Sequence, residues 1–359
     1  MAQTPLENWA GVTGTHRVTP AARRMIVLAG SGKSFDEAAS DLKELSWIQV
    51  SNDIVRRVCD EEGIVMKKWI LSHAQPQEKF AKAKGKIEFS TDGTMVNTMD
   101  GWREIRLSVL GKREAGASAD AVDWEDRLLE EPSSRIAICA IAACDLIGES
   151  WKALAKNLGL PEDQDLSILA DGARWIWNQA ALRFKGQDVQ WVVDIYHVML
   201  YLYGAVAHFK KDAAAQWVGQ QVIELINKGG PEFIKHLNAT GPPKPKNKTA
   251  GEAENTTSTT STAISENEPN TKTSPDGWAK LLNYLEENRD SLWYARRLKE
   301  GLPIGSGLIE GGCKNVLGKR LKLNSARWRP RRAEHMGAIR CLQYSDLWEN
   351  YWNSKKSAA

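Results

Sequence analysis

From residue 19 the apolar positions recur every three to four residues, the spacing of a helix that buries one stripe. Thr19-Pro20 reads as an N-cap followed by proline at the first helical position, so a helix is expected over 21–29, ending in the glycines at 30 and 32. Ser34, with Glu37 three residues on, opens a second helix with a capping-box pattern that runs to about residue 45. Ser51 caps a third over 52–68, which carries Arg56, Arg57, Lys67 and Lys68. Three short helices, the last one basic, suit a helix-turn-helix-like unit that contacts DNA. They suit equally a plain helical bundle packed on the next domain.

After a lysine-rich connection over 79–86 the period falls to two. Residues 86–91 read as a short strand closed by Asp92-Gly93, and 102–112 as a half-buried strand, with the hairpin turn between them over 95–101. An acidic, irregular surface loop is expected over 114–134. A third strand follows over 135–143, then a helix over 145–158 closed by Gly159. A fourth strand over 166–170 ends in Asp171-Gly172, a helix spans 174–184, and a fifth strand over 189–193 ends at Asp194. The order β-β-β-α-β-α-β, with a hairpin first and helical crossovers later, predicts the α/β class: an RNase H-like mixed five-stranded sheet with flanking helices.

Beyond Asp194 the pattern is helical, over 195–211 and 212–228. Residues 239–276 are rich in Pro, Lys, Thr, Ser, Asn and Glu and are expected to be disordered. Helical spacing returns over 278–299, 306–320 and 330–344. The expected organisation is an N-terminal helical unit over 1–78 and a first part of the core over 79–197. An all-α insertion with the linker follows over 198–302, and a C-terminal part of the core over 303–359.

Composition adds less than position. The 359 residues allow two or three domains, and a net charge of +3 says nothing by itself about a polyanionic partner. The five cysteines (Cys59, Cys139, Cys144, Cys313 and Cys341) form no CxxC pair, which excludes a zinc ribbon or a readable disulfide framework. With no signal peptide and no apolar run long enough for a bilayer, the expectation is a cytoplasmic protein, at the nucleoid when bound to DNA.

The charge is concentrated in PIGSGLIEGGCKNVLGKRLKLNSARW, residues 303–328. Its one acid, Glu310, stands among Lys314, Lys319, Arg320, Lys322 and Arg327, and Arg329, Arg331 and Arg332 follow at once. One carboxylate cannot neutralise eight cations, so a polyanion such as DNA is the expected partner. A carboxylate beside phosphate is repulsive unless a divalent cation lies between them. Asp92 and Asp171 end two strands of an open α/β sheet, where a ligand crevice is expected. A lone Asp-Gly is more often a turn; two at equivalent strand ends, with Glu310 in a basic helix, favour a site. Asp92, Asp171 and Glu310 are therefore the candidate catalytic residues and metal ligands, for two Mg²⁺ ions with Mn²⁺ as a substitute.

Asp194 and His197 either border the site and orient a phosphate, or are a helix N-cap and a satisfied buried histidine. The DNA-contact candidates are Lys314, Lys319, Arg320, Lys322, Arg327, Trp328, Arg329, Arg331 and Arg332, with Arg56 and Arg57 from the N-terminal unit. Gly305, Gly307, Gly311 and Gly312 allow a backbone or phosphate to approach closely, or simply allow helices to pack.

The blocks STDGTMVNTMDGWREIRL, LADGARWIWNQAALRF, VVDIYHV and PIGSGLIEGGCKNVLGKRLKLNSARW resemble, in that order, the Mutator-like DDE transposases of bacterial insertion sequences, in the Kra-type lineage. The resemblance covers residues 18–342 apart from the linker. It implies a catalytic triad at Asp92, Asp171 and Glu310, a helical insertion between the second Asp and the Glu, and an Asp-x-x-His element at Asp194 and His197. It further implies metal-dependent cleavage at transposon ends and strand transfer into target DNA, by a dimer or larger assembly. Related chains commonly carry a cysteine-rich, zinc-binding-like region before the helical unit. Here about eighteen residues precede it, so weakened end recognition or a truncated copy is an expectation. Two alternatives stay open: an inactive or domesticated remnant that only binds DNA, and a nuclease of the same fold that does not join strands. A glycosidase with paired carboxylates is disfavoured, because a neutral sugar would not neutralise the cationic segment.

Overall fold

The structure is a computed structural model and describes residue 12 and residues 18–160, 165–243 and 276–357. The expected disorder over 239–276 falls largely outside the described residues, as does most of the chain before residue 18. Five strands form one mixed sheet in the order β3-β2-β1-β4-β5: β1 Lys86–Thr98, β2 Gly101–Arg113, β3 Ser134–Ala140, β4 Leu166–Ala170 and β5 Val189–Val193. β2 runs antiparallel to β1 and β3, while β4 runs parallel to β1. With helices on its faces, this is the α/β, RNase H-like arrangement that the alternation of strand and helix signals predicts.

The N-terminal helices form because their ends are chemically marked. Helix α1 (Pro20–Gly32) starts at Thr19, whose hydroxyl accepts the Ala22 N–H. Helix α2 (Phe35–Ser46) opens on a complete capping box between Ser34 and Glu37. Helix α3 (Asn52–Ser72) starts at Ser51, and α4 (Ala74–Lys82) occupies much of the stretch expected to be a plain connection. Helices α5 (Cys144–Asn157) and α6 (Arg174–Arg183) are the crossovers after β3 and β4.

The first compact unit holds α1 to α6 and the sheet as far as Trp191, together with residues 305–359. In that last stretch lie α12 (Gly307–Gly312), the π-helical turn Cys313–Gly318, α13 (Lys319–Leu321), α14 (Pro330–Tyr344) and α15 (Trp348–Ser357). The second unit, residues 117–127 and 192–304, holds α7 (Ile195–Ala205), α8 (Lys211–Lys228), α9 (Gly230–Thr240), α10 (Asp276–Glu287) and α11 (Ala295–Lys299). Helix α7 stops six residues before the expected end at 211. Helices α9 and α15 lie outside the helical stretches read from the sequence.

Two boundaries were misjudged, for a physical reason. Asp92-Gly93 does not end β1. The strand continues through Thr94–Thr98, whose residues pair one for one with Ile105–Gly101. Val96 and Thr98 are buried on one face, the period-two burial that fixes a strand register. The turn is the shorter Met99-Asp100, followed by Gly101 at φ +88°. Glycine at 93 answers to a neighbour: a Cβ there would lie 2.0 Å from Glu104 Oε1.

Behind the centre of the sheet a buried hydrogen-bond chain joins β1, β2 and α5. Trp151 Nε1 donates to Ser108 Oγ at 2.7 Å, and the Ser108 and Thr91 hydroxyls are 2.9 Å apart. Thr91 Oγ1 also donates to the Leu107 carbonyl at 2.9 Å. Ser108 and Trp151 are fully buried. Substituting Ser108→Ala strands the Trp151 N–H and should lower unfolding stability by about 1–3 kcal/mol, read from urea denaturation; an unchanged midpoint would show that the chain of bonds contributes nothing.

Candidate active site

The backbone register relates two of the carboxylates. Ile87 pairs with Leu166 and Ser90 with Leu169, where the β1–β4 pairing ends. Continued two residues past that last pair, the same offset reaches Asp92 and Asp171 at one end of the sheet. Asp92 lies where β1 parts from β4 and runs on into the hairpin, and Asp171 lies where β4 ends. Each is oriented by its own backbone: Gly93 N–H donates to Asp92 Oδ1 at 2.7 Å, and Ala173 N–H to Asp171 Oδ1 at 2.9 Å.

Glu310 reaches the same face from α12. Leu107 is the cross-strand partner of Asp92 and so shares its face. A Cβ on Gly312 would lie 2.8 Å from Leu107 Cδ2, so glycine lets α12 settle against β2 at this level. Leu308 and Ile309 bury the inner side of the helix, and Tyr344 donates to the Leu308 carbonyl at 3.1 Å. The following turn widens to π-helical bonding over Cys313–Gly318, a device that recurs at functional sites. Cys313, on that turn, has its thiol pushed up to about 12 by burial first and then by the nearby Asp92 charge; Glu310 acts in the same sense and Lys322 against it. Asp92 and Glu310 therefore act on one and the same thiol.

Among the described residues, no three His, Cys, Asp or Glu side chains are grouped closely enough to hold an ion between them. Mg²⁺ does not need such a cage. It keeps several waters and is usually held by one or two carboxylates plus substrate phosphates. Asp92, Asp171 and Glu310 are hard oxygen donors of the type such a site uses.

The cations divide into two kinds. Lys314, Lys319, Lys322, Arg327, Arg329 and Arg331 are exposed, and no carboxylate among the described residues pairs with any of them. Lys322 donates to the Thr94 hydroxyl, two residues beyond Asp92. The others are committed within the protein. Arg320 is 3% exposed, donates to the Gly30 carbonyl at 3.0 Å, and lies 4.7 Å from the ring centres of both Phe35 and Trp328. Trp328 is itself buried, its indole N–H on the Leu321 carbonyl at 3.1 Å. These two are packing residues, a correction to their place among the DNA-contact candidates: spacing alone does not separate a cation on the strip from one stacked beneath it. Arg332 is 3.6 Å from Asp60, and Arg56 and Arg57 both pair with Asp53.

In the second unit, Asp194 is fully buried and caps α7, its Oδ1 accepting the Tyr196 N–H at 2.8 Å. His197, about one-third exposed, holds Nδ1 3.4 Å from Asp194 Oδ2. Tyr294 donates to the Val193 carbonyl at 2.9 Å, and burial, with Tyr284 and Asp194 nearby, pushes its hydroxyl well up. The N-cap reading of Asp194 is what the structure displays.

No protein-family model matches the chain, and no curated protein is significantly similar to it.

The Cys313 thiol gives a test of this geometry. Held protonated at neutral pH, it should resist alkylation in the folded chain. Substituting Asp92→Asn removes a charge that opposes thiolate formation, so the pKa should fall and alkylation at about pH 9 should quicken severalfold. An unchanged rate, followed by peptide mapping, would place the Asp92 carboxylate away from Cys313.

Proposed function

We propose that this protein is a DDE-type transposase, which cleaves DNA at the ends of its element and joins them to target DNA by in-line phosphoryl transfer. The observation that carries the reading is the parallel β1–β4 register, whose offset leads to Asp92 and Asp171 at one end of the sheet, with the helix bearing Glu310 packed on β1 and β2. The unneutralised strip from Lys314 to Arg331 supports a polyanionic substrate. The resemblance to Mutator-like transposases of the Kra-type lineage points to the same residues.

Asp92, Asp171 and Glu310 would hold Mg²⁺ or Mn²⁺, which when bound activates the attacking oxygen and stabilises the leaving one. The chain's own part is positioning. The Gly93 and Ala173 N–H groups fix the carboxylates before substrate arrives. Lys314, Lys319 and Lys322 neutralise the phosphates flanking the scissile bond. Gly307 and Gly311 leave open space beside the helix, where a Cβ would meet nothing within 4 Å. No protein nucleophile is required, and the one beside the carboxylates, Cys313, is held as an inert thiol by burial and by their charge.

Cleavage of DNA carrying the element's own ends should require Mg²⁺ or Mn²⁺, and Glu310→Gln should reduce it by about a hundredfold or more while leaving DNA binding in place. Cleavage that survives the substitution would remove Glu310 from the chemistry; joined product on added target DNA separates a transposase from a nuclease. For binding without metal, each Ala substitution at Lys314, Lys319 or Arg331 should reduce the slope of log K against log salt by about one. An unchanged slope would take that residue off the DNA.

A further inference from the structure

The hairpin of β1 and β2 outgrows the sheet. Pairing of β1 with β4 ends at Ser90, and pairing of β2 with β3 begins only at Arg106. From Gly93 to Thr98 and back from Gly101 to Ile105 the two strands pair with each other, an arm about 20 Å long. It leaves the sheet at the end where Asp92 and Asp171 lie. Near the tip a third segment is laid against it: Trp328 N–H donates to the Asn97 carbonyl at 3.0 Å, and Met99 N–H to the Trp328 carbonyl at 2.7 Å. Trp328 lies parallel to Thr98.

The two faces of this arm differ. On the inner face Val96, Thr98, Ile105 and Trp328 are all buried. By the alternation of extended chain, the outer face takes Met95, Asn97 and Trp102 from the hairpin and Arg327 and Arg329 from the third segment. Here Trp102 is 66% exposed, with Met99 at 55% and Met95 at 38%. Arg327 and Arg329 are exposed and without a carboxylate partner among the described residues. The acid on this face, Glu104, is already paired with Arg106. Trp102 on β2 and the two arginines lie on either side of β1, and Arg327 Nε also donates to the Thr98 carbonyl at 3.5 Å. An exposed indole sharing a face with two guanidinium groups that lack carboxylate partners matches what a nucleic acid strand offers: a base to stack on and phosphates to neutralise.

We infer that the outer face of the β1–β2 arm is a DNA-contact surface distinct from the strip along the π-helical turn and α13, on which Trp102 stacks against an unpaired base while Arg327 and Arg329 hold the adjoining phosphates. This rests on the reading that the protein acts on DNA. It assigns to the arm the holding of a locally opened duplex on the sheet face opposite Asp92, at the end of the sheet where the carboxylates lie.

The test is binding without metal, in EDTA, of two otherwise identical duplexes: one fully paired, one carrying an unpaired 2-aminopurine. The full chain should bind the second more tightly and quench its fluorescence. Trp102→Ala should abolish the quench and weaken that complex about tenfold, with a smaller loss on the paired duplex, and Trp102→Phe should restore most of both. Trp102 is exposed, so the variant should fold, which circular dichroism checks. Wild-type quenching and affinity in Trp102→Ala would overturn the inference and leave the transposase reading standing. A change of oligomeric state in Trp102→Ala with unchanged DNA binding would also overturn it, making this face a contact between copies of the chain. Failure of the unaltered protein to bind either duplex would overturn the DNA reading itself, and this inference with it.

Discussion

The parallel pairing of β1 with β4 is the constraint on which the rest depends. Backbone hydrogen bonds between two buried strands fix an offset of 79 positions, and that offset, continued beyond its last pair Ser90–Leu169, leads to Asp92 and Asp171. Slipping the pair by one residue would turn one carboxylate to the opposite face. Phe89, Ile168 and Leu169, almost wholly out of solvent, oppose that slip with their burial. The polar pair is thus held by apolar packing beneath it, and the Thr91–Ser108–Trp151 hydrogen bonds pin the other face of the same strands.

The second determinant is the unequal use of positive charge. Within one run of residues, Arg320 is spent on packing and Arg332 on an ion pair, while Lys314, Lys319, Lys322, Arg327, Arg329 and Arg331 remain open to solvent. A folded protein gains little from exposed cations without carboxylate partners, and their mutual repulsion opposes compactness. Under the proposed function, a ligand that carries phosphates would offset that repulsion. The π-helical turn with α13 and the hairpin arm present that charge on two surfaces.

How much of this was legible depended on the kind of signal. The capping residues Thr19, Ser34 and Ser51 announced their helices, because a side-chain oxygen facing an orphan N–H is a local event. Strands β4 and β5 were bounded correctly by apolar runs between turn residues. Asp92-Gly93 misled, since that pair usually turns the chain; Thr94 to Thr98 overrode it by pairing across to β2, a partnership no local window contains. The candidate carboxylates were visible as residue types at strand ends, but their register was not, because it is a property of two segments. The fate of Arg320 and Trp328 was illegible for the same reason: Phe35, which lies under the Arg320 guanidinium and meets Trp328 edge to face, is 285 and 293 positions away. Nothing local in the sequence marks Trp102, and only the length of the arm and its exposure single it out.

The guanidinium of Arg320, between Phe35 and Trp328 and tethered to the Gly30 carbonyl, bears on how such chains diversify. The residues that meet at this point come from helices α1 and α2 at one end of the sequence and from the cationic segment at the other. The N-terminal helices are therefore not a portable reading head, exchangeable between relatives by recombination at a linker. Substitution of Phe35, or a shift of the Gly30 carbonyl, would leave a buried guanidinium without its partners, so these helices and positions 320 and 328 can change only together.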